Sequence, residues 1–492
     1  MRCTMITEIR KICIILLISV ILCGCGVTGQ HSGTSSDRES YIPAIPSDEK
    51  LNPQEQELDK ALSRMKEEAA ALYDEDEPYG KVRYDDEDVL TSDLYAFCHA
   101  LPKGAELHAH EQTLIDFDRY LDLIRSEVMI CTDEGDDYGH MYAVNSSDIP
   151  DSAQLLDDVL KNGDMTEDEF RALLTVDEED MEDEEAGFWN TLTNSFIITR
   201  GLSTDTALTQ KIYEEGFRCA CEKGILLLEL RVSCKPDDEL NISNLSIIRD
   251  AYYDVRNEYP DFRVRIIGCA GKSAKYTVED SCNALRSVIA VSKTLKDEYD
   301  PSHPEELIIG LDLVNEEDKG KPLETYMDFL TSDEVRSSGL KLYLHCGESL
   351  RLDNESVVDA YMAHSDRVGH GFNLYRYPEL MEKYKEQGIT LEVCPISNLR
   401  LGYVHDLRLH PALLYLREGV PVVICSDDGL FMTPEPLTDD YYAAILCWDL
   451  NLSNIKDICR RSIEASGLSE SEKDTLMNAW ERDWDAFVAS FQ

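Results

Sequence analysis

The sequence predicts an α/β fold, a (β/α)8 TIM barrel with N-terminal helices and an acidic insertion after its first strand. Three observations predict it. Eight short runs rich in β-branched residues and leucine show little polar alternation, as strands buried on both faces do. Segments of helical periodicity separate them. His or Asp recurs at the ends of four of those runs, the end at which such barrels carry their chemistry.

The chain has 492 residues, 43% of them apolar, enough for one large barrel with additions. Its formal net charge of -50 excludes nucleic acid as a partner, because phosphate binding needs the opposite sign. It also excludes docking on anionic lipid through a basic patch. A membrane is therefore met only through an anchor.

That anchor is expected at the N-terminus. Arg2, Arg10 and Lys11 form a basic region, and Ile12 to Leu22 is an apolar run too short for a comfortable span. Leu22-Cys23-Gly24-Cys25 follows, a pattern similar to the bacterial lipoprotein cleavage box. Residues 1–25 read as a lipoprotein signal peptide cleaved before Cys25, with Cys25 as the lipidation site. This places the protein as exported and lipid-anchored on the outer face of a bacterial cell membrane. Of the 16 cysteines, three leave with the signal and Cys25 carries lipid. The rest do not suit a small disulfide framework; Cys269, Cys394 and Cys425 fall on expected strands as small apolar side chains.

Residues 26–50 are rich in Ser, Gly, Thr and Pro and read as a flexible tether. Residues 51–98 form an N-terminal helical segment, in which Leu58, Leu62, Met65, Ala69 and Leu72 recur at helical spacing. This helix either caps the main domain or mediates self-association, which makes a homodimer possible. Residues 99–492 hold the barrel. Its strands are expected at Ala105–His110, Ile225–Val232, Phe262–Cys269, Leu307–Leu313, Lys341–His345, Arg367–His370, Thr390–Cys394 and Val422–Ser426. Thr206–Lys223, Ser281–Lys296 and Leu323–Ser332 fit helices between them. The interval between His110 and Ile225 is too long for one helix. Its acidic runs, 133–137 and Asp177–Glu185, mark an inserted subdomain at about 124–185: a solvated surface, or a lid, calcium or partner surface. Asn454 to Phe491 is expected to be helical, with Trp480, Trp484 and Phe487 packed against the barrel.

The chemistry starts from Glu106-Leu107-His108-Ala109-His110. Side chains two apart on a strand share a face, so His108 and His110 can bind one ion. His345 ends the fifth run, His370 lies in the sixth, and Asp427-Asp428 ends the eighth. Three imidazoles and one carboxylate suit zinc, one Zn2+ per chain, with His108, His110, His345 and Asp427 as ligands. Zinc would lower the pKa of a bound water toward neutrality. Glu348, three residues past a ligand, can hand a proton to substrate. His370 can stabilise developing charge, Asp427 can accept a proton, and Asp428 can take hydrogen bonds from substrate. Taken singly, each has a plainer reading: a strand-end histidine, a turn between glycines, a helix N-cap pair.

Leu101-Pro102-Lys103-Gly104-Ala105-Glu106-Leu107-His108-Ala109-His110, His345-Cys346-Gly347-Glu348, Arg367-Val368-Gly369-His370-Gly371-Phe372, Cys394-Pro395-Ile396-Ser397-Asn398 and Ser426-Asp427-Asp428 together resemble the adenosine deaminases. Gly310-Leu311-Asp312-Leu313-Val314, Glu316-Glu317-Asp318 and the helix from Glu472 to Trp484 resemble the secreted adenosine deaminase 2, or growth-factor-related, branch. The resemblance runs from about Pro53 to the end. It implies a hydrolase acting on cyclic amidines, which converts adenosine, 2′-deoxyadenosine or a related 6-aminopurine nucleoside to the inosine-type product and ammonia. It also implies roles. Glu348 protonates the purine N1 while a zinc-activated water attacks C6, managed by His370 and Asp427. Asp428 holds N7, the Gly310 backbone meets N3, and Trp189 lines the ribose side.

The sequence departs from that branch in four places. Gly429 stands for a proline, Cys346 for an alanine, Glu111 for an Asp that contacts ribose, and Glu316 for a ribose-contacting His. Glu111 and Glu316 are therefore the candidate substrate-side residues whose chemistry has changed. Two alternatives stay open at this level: a related amidohydrolase acting on a modified nucleoside or other amino-heterocycle, and a non-catalytic binding lipoprotein.

Overall fold

A computed structural model describes residues 44–73, 80, 86–111, 113–132, 138–176 and 187–491. The expected signal peptide, Cys25 and the tether up to residue 43 lie outside the described residues, as do the acidic runs 133–137 and 177–185. Eight strands build the barrel: β1 (Gly104–His110), β2 (Ile225–Ser233), β3 (Arg263–Gly271), β4 (Ile308–Val314), β5 (Lys341–Cys346), β6 (Arg367–His370), β7 (Thr390–Val393) and β8 (Val422–Ile424). They pair parallel, in chain order, within one sheet. A bridge between Ala109 and Asp427 brings the last strand back to the first. The eight runs read from the sequence are these strands. Nearly every residue in them is buried, which is why they lack polar alternation.

Helix α1 (Pro53–Ala70) starts at Asn52, whose side chain accepts from the N–H groups of Gln54 and Glu55, while the Glu55 carboxylate accepts from the Asn52 N–H at 2.7 Å. Such a reciprocal cap satisfies donors that the first turn leaves free.

Between β1 and β2 the insertion is a small antiparallel sheet. Its central strand, Val128–Cys131, pairs with Met141–Ala143 on one side and Ala153–Leu155 on the other. Two helices follow, Leu156–Asn162 and Glu167–Leu174, and then α2 (Gly187–Thr199) returns toward the barrel. The apolar residues Val128, Ile130, Leu156, Val159 and Phe170 are fully buried, so the insertion carries its own packed centre.

After β8 come α3 (Thr438–Cys447), α4 (Leu452–Glu464) and α5 (Glu470–Ser490). The single helical stretch expected over 454–491 is thus two helices. The break falls at Gly467, whose N–H donates to Glu229 Oε1 at 2.6 Å and where an added Cβ would strike Ile309. The expected helix over 323–332 is likewise divided, a 3-10 turn at Leu323–Tyr326 followed by one turn at Met327–Leu330. Helix α1 packs against α3, α4 and α5 and buries Leu58 and Leu62 there. Glu55 anchors it, meeting Lys456 Nζ and Trp484 Nε1 at 2.7 Å each. Its apolar stripe therefore caps the chain's own barrel assembly. Trp480, Trp484 and Phe487 are buried as expected.

All twelve cysteines among the described residues are free thiols, and eleven are buried. No helix among the described residues is long and apolar enough to cross a membrane.

Candidate active site and metal centre

The C-terminal ends of β1, β5, β6 and β8 bring the candidate groups together. His108 and His345 place their Nε2 atoms 3.0 Å apart, and His110 Nε2 lies 3.3 Å from that of His345. Asp427 Oδ1 is 3.1 Å from His110 Nε2 and 3.5 Å from His108 Nε2. The four ligand atoms lie within 4.8 Å of one another.

The supporting contacts decide what these atoms are. His108 Nδ1 is 2.8 Å from Glu392 Oε2, and His345 Nδ1 is 2.6 Å from Asp312 Oδ2. Carboxylates accept, so each imidazole keeps its proton on Nδ1 and turns a lone pair outward on Nε2. Two lone pairs 3.0 Å apart repel unless a cation lies between them. The donor set therefore fits a divalent metal ion. Arg231 ties the two supports together, donating from Nε to Asp312 at 2.9 Å and from Nη2 to Glu392 at 2.6 Å. Burial would raise both carboxyls. His345 and Arg231 outweigh it for Asp312, and Arg231 and Arg367 do so for Glu392, holding both far below the ordinary carboxylate range.

Asp427 is placed by the closure of the barrel. Its N–H donates to His108 O at 2.9 Å, and its own carbonyl accepts from the His110 N–H at 3.3 Å. Its backbone has φ +60°, and that of His370 has φ +61°. Strained backbone of this kind persists where the surroundings overdetermine it, often at working sites. Ser397 donates to Asp427 Oδ2 at 2.7 Å. Glu106 fixes both neighbours from below, accepting from the His108 N–H at 2.8 Å and the Ser426 N–H at 3.0 Å.

Beside the donor set stand three buried groups with unsatisfied atoms. Glu348 Oε1, His370 Nδ1 and Asp428 Oδ1 have no hydrogen-bond partner among the described residues. His370 Nε2 is 3.7 Å from Glu348 Oε1 and 4.0 Å from Asp427 Oδ2. Burial, reinforced by the charges of Asp427 and Glu317, pushes the Glu348 carboxyl well above the usual carboxylate range. Burial pushes Asp428 up to about 7, with His110 opposing and Asp427 and Glu111 adding to the rise. Burial also holds His370 well below the ordinary imidazole value, against the pull of Asp427. A buried polar atom without a partner costs about 1–3 kcal/mol, so the free oxygens of Glu348 and Asp428 beside the donor set suit them to meet a ligand's polar groups.

The outer residues are less uniform. Glu111 accepts from the Ser233 N–H at 3.2 Å, and burial raises its carboxyl. Glu316 is half-buried with its carboxylate 3.2 Å from Lys319 Nζ. Trp189, on α2, donates its indole N–H to Tyr403 at 3.0 Å, and the neighbouring Phe188 lies where a Cβ on Gly402 would fall. This end of the insertion thus rests on the loop after β7.

Gly310 is not part of this site. It pairs with Lys341, the first residue of β5, whereas His345 lies four residues further on, roughly 13 Å along the strand. Gly310 lies against the Tyr343 ring near the opposite end of the barrel, where its lack of a Cβ admits that ring. At the site end of β4 stands Asn315, with φ +102°. The role that the resemblance implied for Gly310 does not fit the register, which puts Gly310 inside β4 and not at its site end.

The carboxylates behind the ligands, Glu392 and Asp312, and the arginine that joins them, Arg231, were not singled out from sequence. A signal existed: Asp312 and Glu392 are each the one charge in a buried strand, Arg231 shares its buried strand with Glu229, and charges so placed demand partners. Glu392→Gln is expected to weaken metal binding about 10- to 100-fold with the fold retained. Metal competition titrations check this, and unchanged affinity would remove Glu392 from its role.

Fold and site together define a metal-dependent hydrolase of the barrel type, with a buried carboxyl of raised pKa beside the candidate metal ligands. A family model described as adenosine deaminase matches residues 210–482. Adenosine deaminase 2 of Dictyostelium discoideum is 26% identical over 93% of this chain and 89% of its own. Adenosine deaminase 2-A of Danio rerio is 28% identical, covering 81% and 82%. Adenosine deaminase 2 of Homo sapiens is 35% identical over 37% of each chain. Among solved structures, the N6-methyl-AMP deaminase of Arabidopsis thaliana superposes with a TM-score of 0.55 at 18% identity, over 79% of this chain and 98% of that one. An adenine deaminase from Arthrobacter aurescens gives 0.52 at 16%, over 77% and 98%. The chain belongs to the adenosine deaminase family.

Proposed function

We propose that the protein hydrolyses the 6-amino group of adenosine, 2′-deoxyadenosine or a related 6-aminopurine nucleoside, giving the 6-oxo product and ammonia, with zinc as its metal. The observation that carries this reading is Glu348: a buried carboxyl, held protonated, with an unpartnered oxygen beside the converged His and Asp donors.

A divalent ion held by His108, His110, His345 and Asp427 supplies Lewis acidity that lowers the pKa of water. Nitrogen and oxygen donors in this ratio suit zinc. Glu348 delivers its proton to ring N1, which makes C6 electrophilic. His370, kept neutral by burial, presents Nε2 on the side of Asp427 and Glu348, where it orients the attacking water. Asp427, fixed by Ser397, receives the water's proton and passes it to the 6-amino group, so that the C6–N bond breaks as ammonia leaves, and the proton of the new 6-hydroxyl returns to Glu348 as the C6=O forms. Purine N7 is an acceptor, so the residue facing it must donate. Asp428, pushed up to about 7, carries a proton in part of the population at neutral pH and can do so. Glu111, Glu316 and Trp189 face the sugar. The two carboxylates there favour a substrate with hydroxyl donors and disfavour a 5′-phosphate. They also support a second reading, a modified or differently substituted nucleoside.

Incubation of purified protein with adenosine should shift the ultraviolet band of the purine as the 6-oxo product forms, with one zinc per chain by metal analysis. Silence toward adenosine, 2′-deoxyadenosine and methylthioadenosine would sink the nucleoside reading.

The site of action proposed is the outer face of a bacterial membrane, through a lipid on Cys25. Cys25→Ser, or blocking lipoprotein signal cleavage, should change the protein's size and release it from or trap it in the membrane fraction. Unchanged size and location would exclude the anchor. The apolar stripe of α1 is covered within the same chain, so a homodimer through this helix would use its outer face.

A further inference from the structure

Two consecutive carboxylates in the loop after β4 grip the loop after β5. Glu317, itself buried, accepts the backbone N–H of Glu348 on Oε2 at 3.0 Å and approaches that of Gly347 with Oε1 at 3.4 Å. Asn354 donates to Glu317 Oε1 at 2.8 Å, and Asn354 Oδ1 accepts in turn from Ser356 Oγ at 2.9 Å and Asn373 Nδ2 at 3.0 Å. Ser356 Oγ takes the Gly347 N–H at 2.8 Å. The next carboxylate, Asp318, takes the hydroxyl of Ser349. The loop that carries the carboxylates is itself closed: the Gly320 N–H donates to Glu316 O at 3.0 Å, and the Lys321 N–H to Lys272 O at 2.8 Å. Gly347 and Glu348 are thus held through their backbone N–H groups, and Ser349 through its hydroxyl. Gly347, at φ +76°, passes within 3.0 Å of Val357 and Asn373 at its missing Cβ, so the chain there has no room to shift.

We propose that Glu317 is a positioning residue for the reaction: it fixes the proton-donating carboxyl of Glu348 by clamping the backbone on which that side chain is mounted. The inference rests on the reading of Glu348 as the proton donor. A carboxylate that accepts two backbone N–H groups makes strong, directional, charge-assisted bonds. Its charge also adds to the rise of the Glu348 carboxyl, so one residue both aims the donor and keeps it protonated. The hydrogen-bond partners of Glu317 are the Gly347 and Glu348 N–H groups and Asn354, none of them a candidate metal ligand, so its effect on the reaction runs through the segment that carries Glu348.

Glu317→Gln keeps the size of the side chain but replaces one acceptor oxygen by a donor, and removes the charge. It should lower kcat on the order of 10- to 100-fold, with KM and metal content unchanged. A double-mutant cycle distinguishes this from general damage: in a Glu348→Gln background the second substitution should add nothing to the loss of kcat, because the proton transfer that the clamp serves is gone. Glu317→Asp keeps the charge and shortens the reach. It should lower kcat while leaving the alkaline limb of the pH profile in place, whereas Glu317→Gln moves that limb to lower pH. Hydrogen exchange over residues 345–352 gives a readout free of turnover, in which Glu317→Gln should speed exchange of this segment and leave the rest of the barrel unchanged. Unaltered exchange there overturns the clamp whatever the substrate is, and additive losses in the cycle overturn its action through Glu348. A wild-type enzyme that turns over no purine sinks the functional reading alone.

Discussion

Glu348→Gln is expected to lower kcat for purine deamination by between about 100-fold and about 10,000-fold, the span attributed to a positioned general acid. Metal content and melting temperature should stay as in the wild type. Glutamine fills the same space and still donates a hydrogen bond, but its amide cannot deliver a proton. The loss therefore isolates proton transfer from binding. The structure makes the expectation specific, because Glu348 Oε1 has no partner among the described residues. Nothing in the fold is seen to depend on the atom that the substitution changes. The pH profile has a definite sign. The active form is the protonated carboxyl, whose pKa is raised by burial and by Asp427 and Glu317. Activity should persist through neutral pH and fall as pH rises through that raised value, whereas an ordinary surface carboxyl would already have lost its proton in the acid range. Single-turnover rates across pH measure this. A variant retaining more than about a tenth of wild-type kcat would remove Glu348 from the chemistry, since even a weak general acid contributes about 100-fold.

The second large effect concerns the metal ligands. His345→Ala should abolish tight metal binding and with it measurable turnover, a loss larger than the 10- to 100-fold expected when an outer support is removed. His345 stands at the centre of the donor set, with Nε2 within 3.3 Å of both other imidazoles. Its deletion also removes a 2.6 Å hydrogen bond from buried Asp312, which keeps only Arg231 as a side-chain partner. A hydrogen bond to a buried charged group contributes about 1.5–3 kcal/mol, so the variant should melt earlier than wild type. Chelation of the wild-type protein offers the reversible counterpart: activity should vanish on metal removal and return with zinc. A fall in melting temperature on chelation should accompany it, since a ligand bound only by the folded state stabilises it by mass action. Full turnover by metal-free protein would refute the assignment of His108, His110, His345 and Asp427.

How much of this was legible beforehand follows from particular residues. The eight strands were, because a strand buried on both faces must be written in apolar residues, and Leu227, Leu228, Ile266, Leu311 and Val423 are so written. His108 and His110 were, because a two-residue spacing on a strand fixes a shared face. The joint ends of β1, β5, β6 and β8 were, because a barrel carries its functional groups at one rim. The break at Gly467 was not, since it depends on the Gly467 N–H meeting Glu229 of a distant strand.

The sequence by itself determined the fold class and singled out the candidate ligands and the candidate proton-donating carboxyl, because each is encoded in local periodicity and in residue chemistry. Only the tertiary structure decided which atoms of those residues are available. The tautomers of His108 and His345 follow from Glu392 and Asp312, which lie 284 and 33 residues away in the chain. The placement of Glu348 follows from Glu317, 31 residues earlier. The exclusion of Gly310 follows from strand register. Those are contacts between segments that meet only when the barrel closes, and a pattern of spacings along one chain carries no record of them.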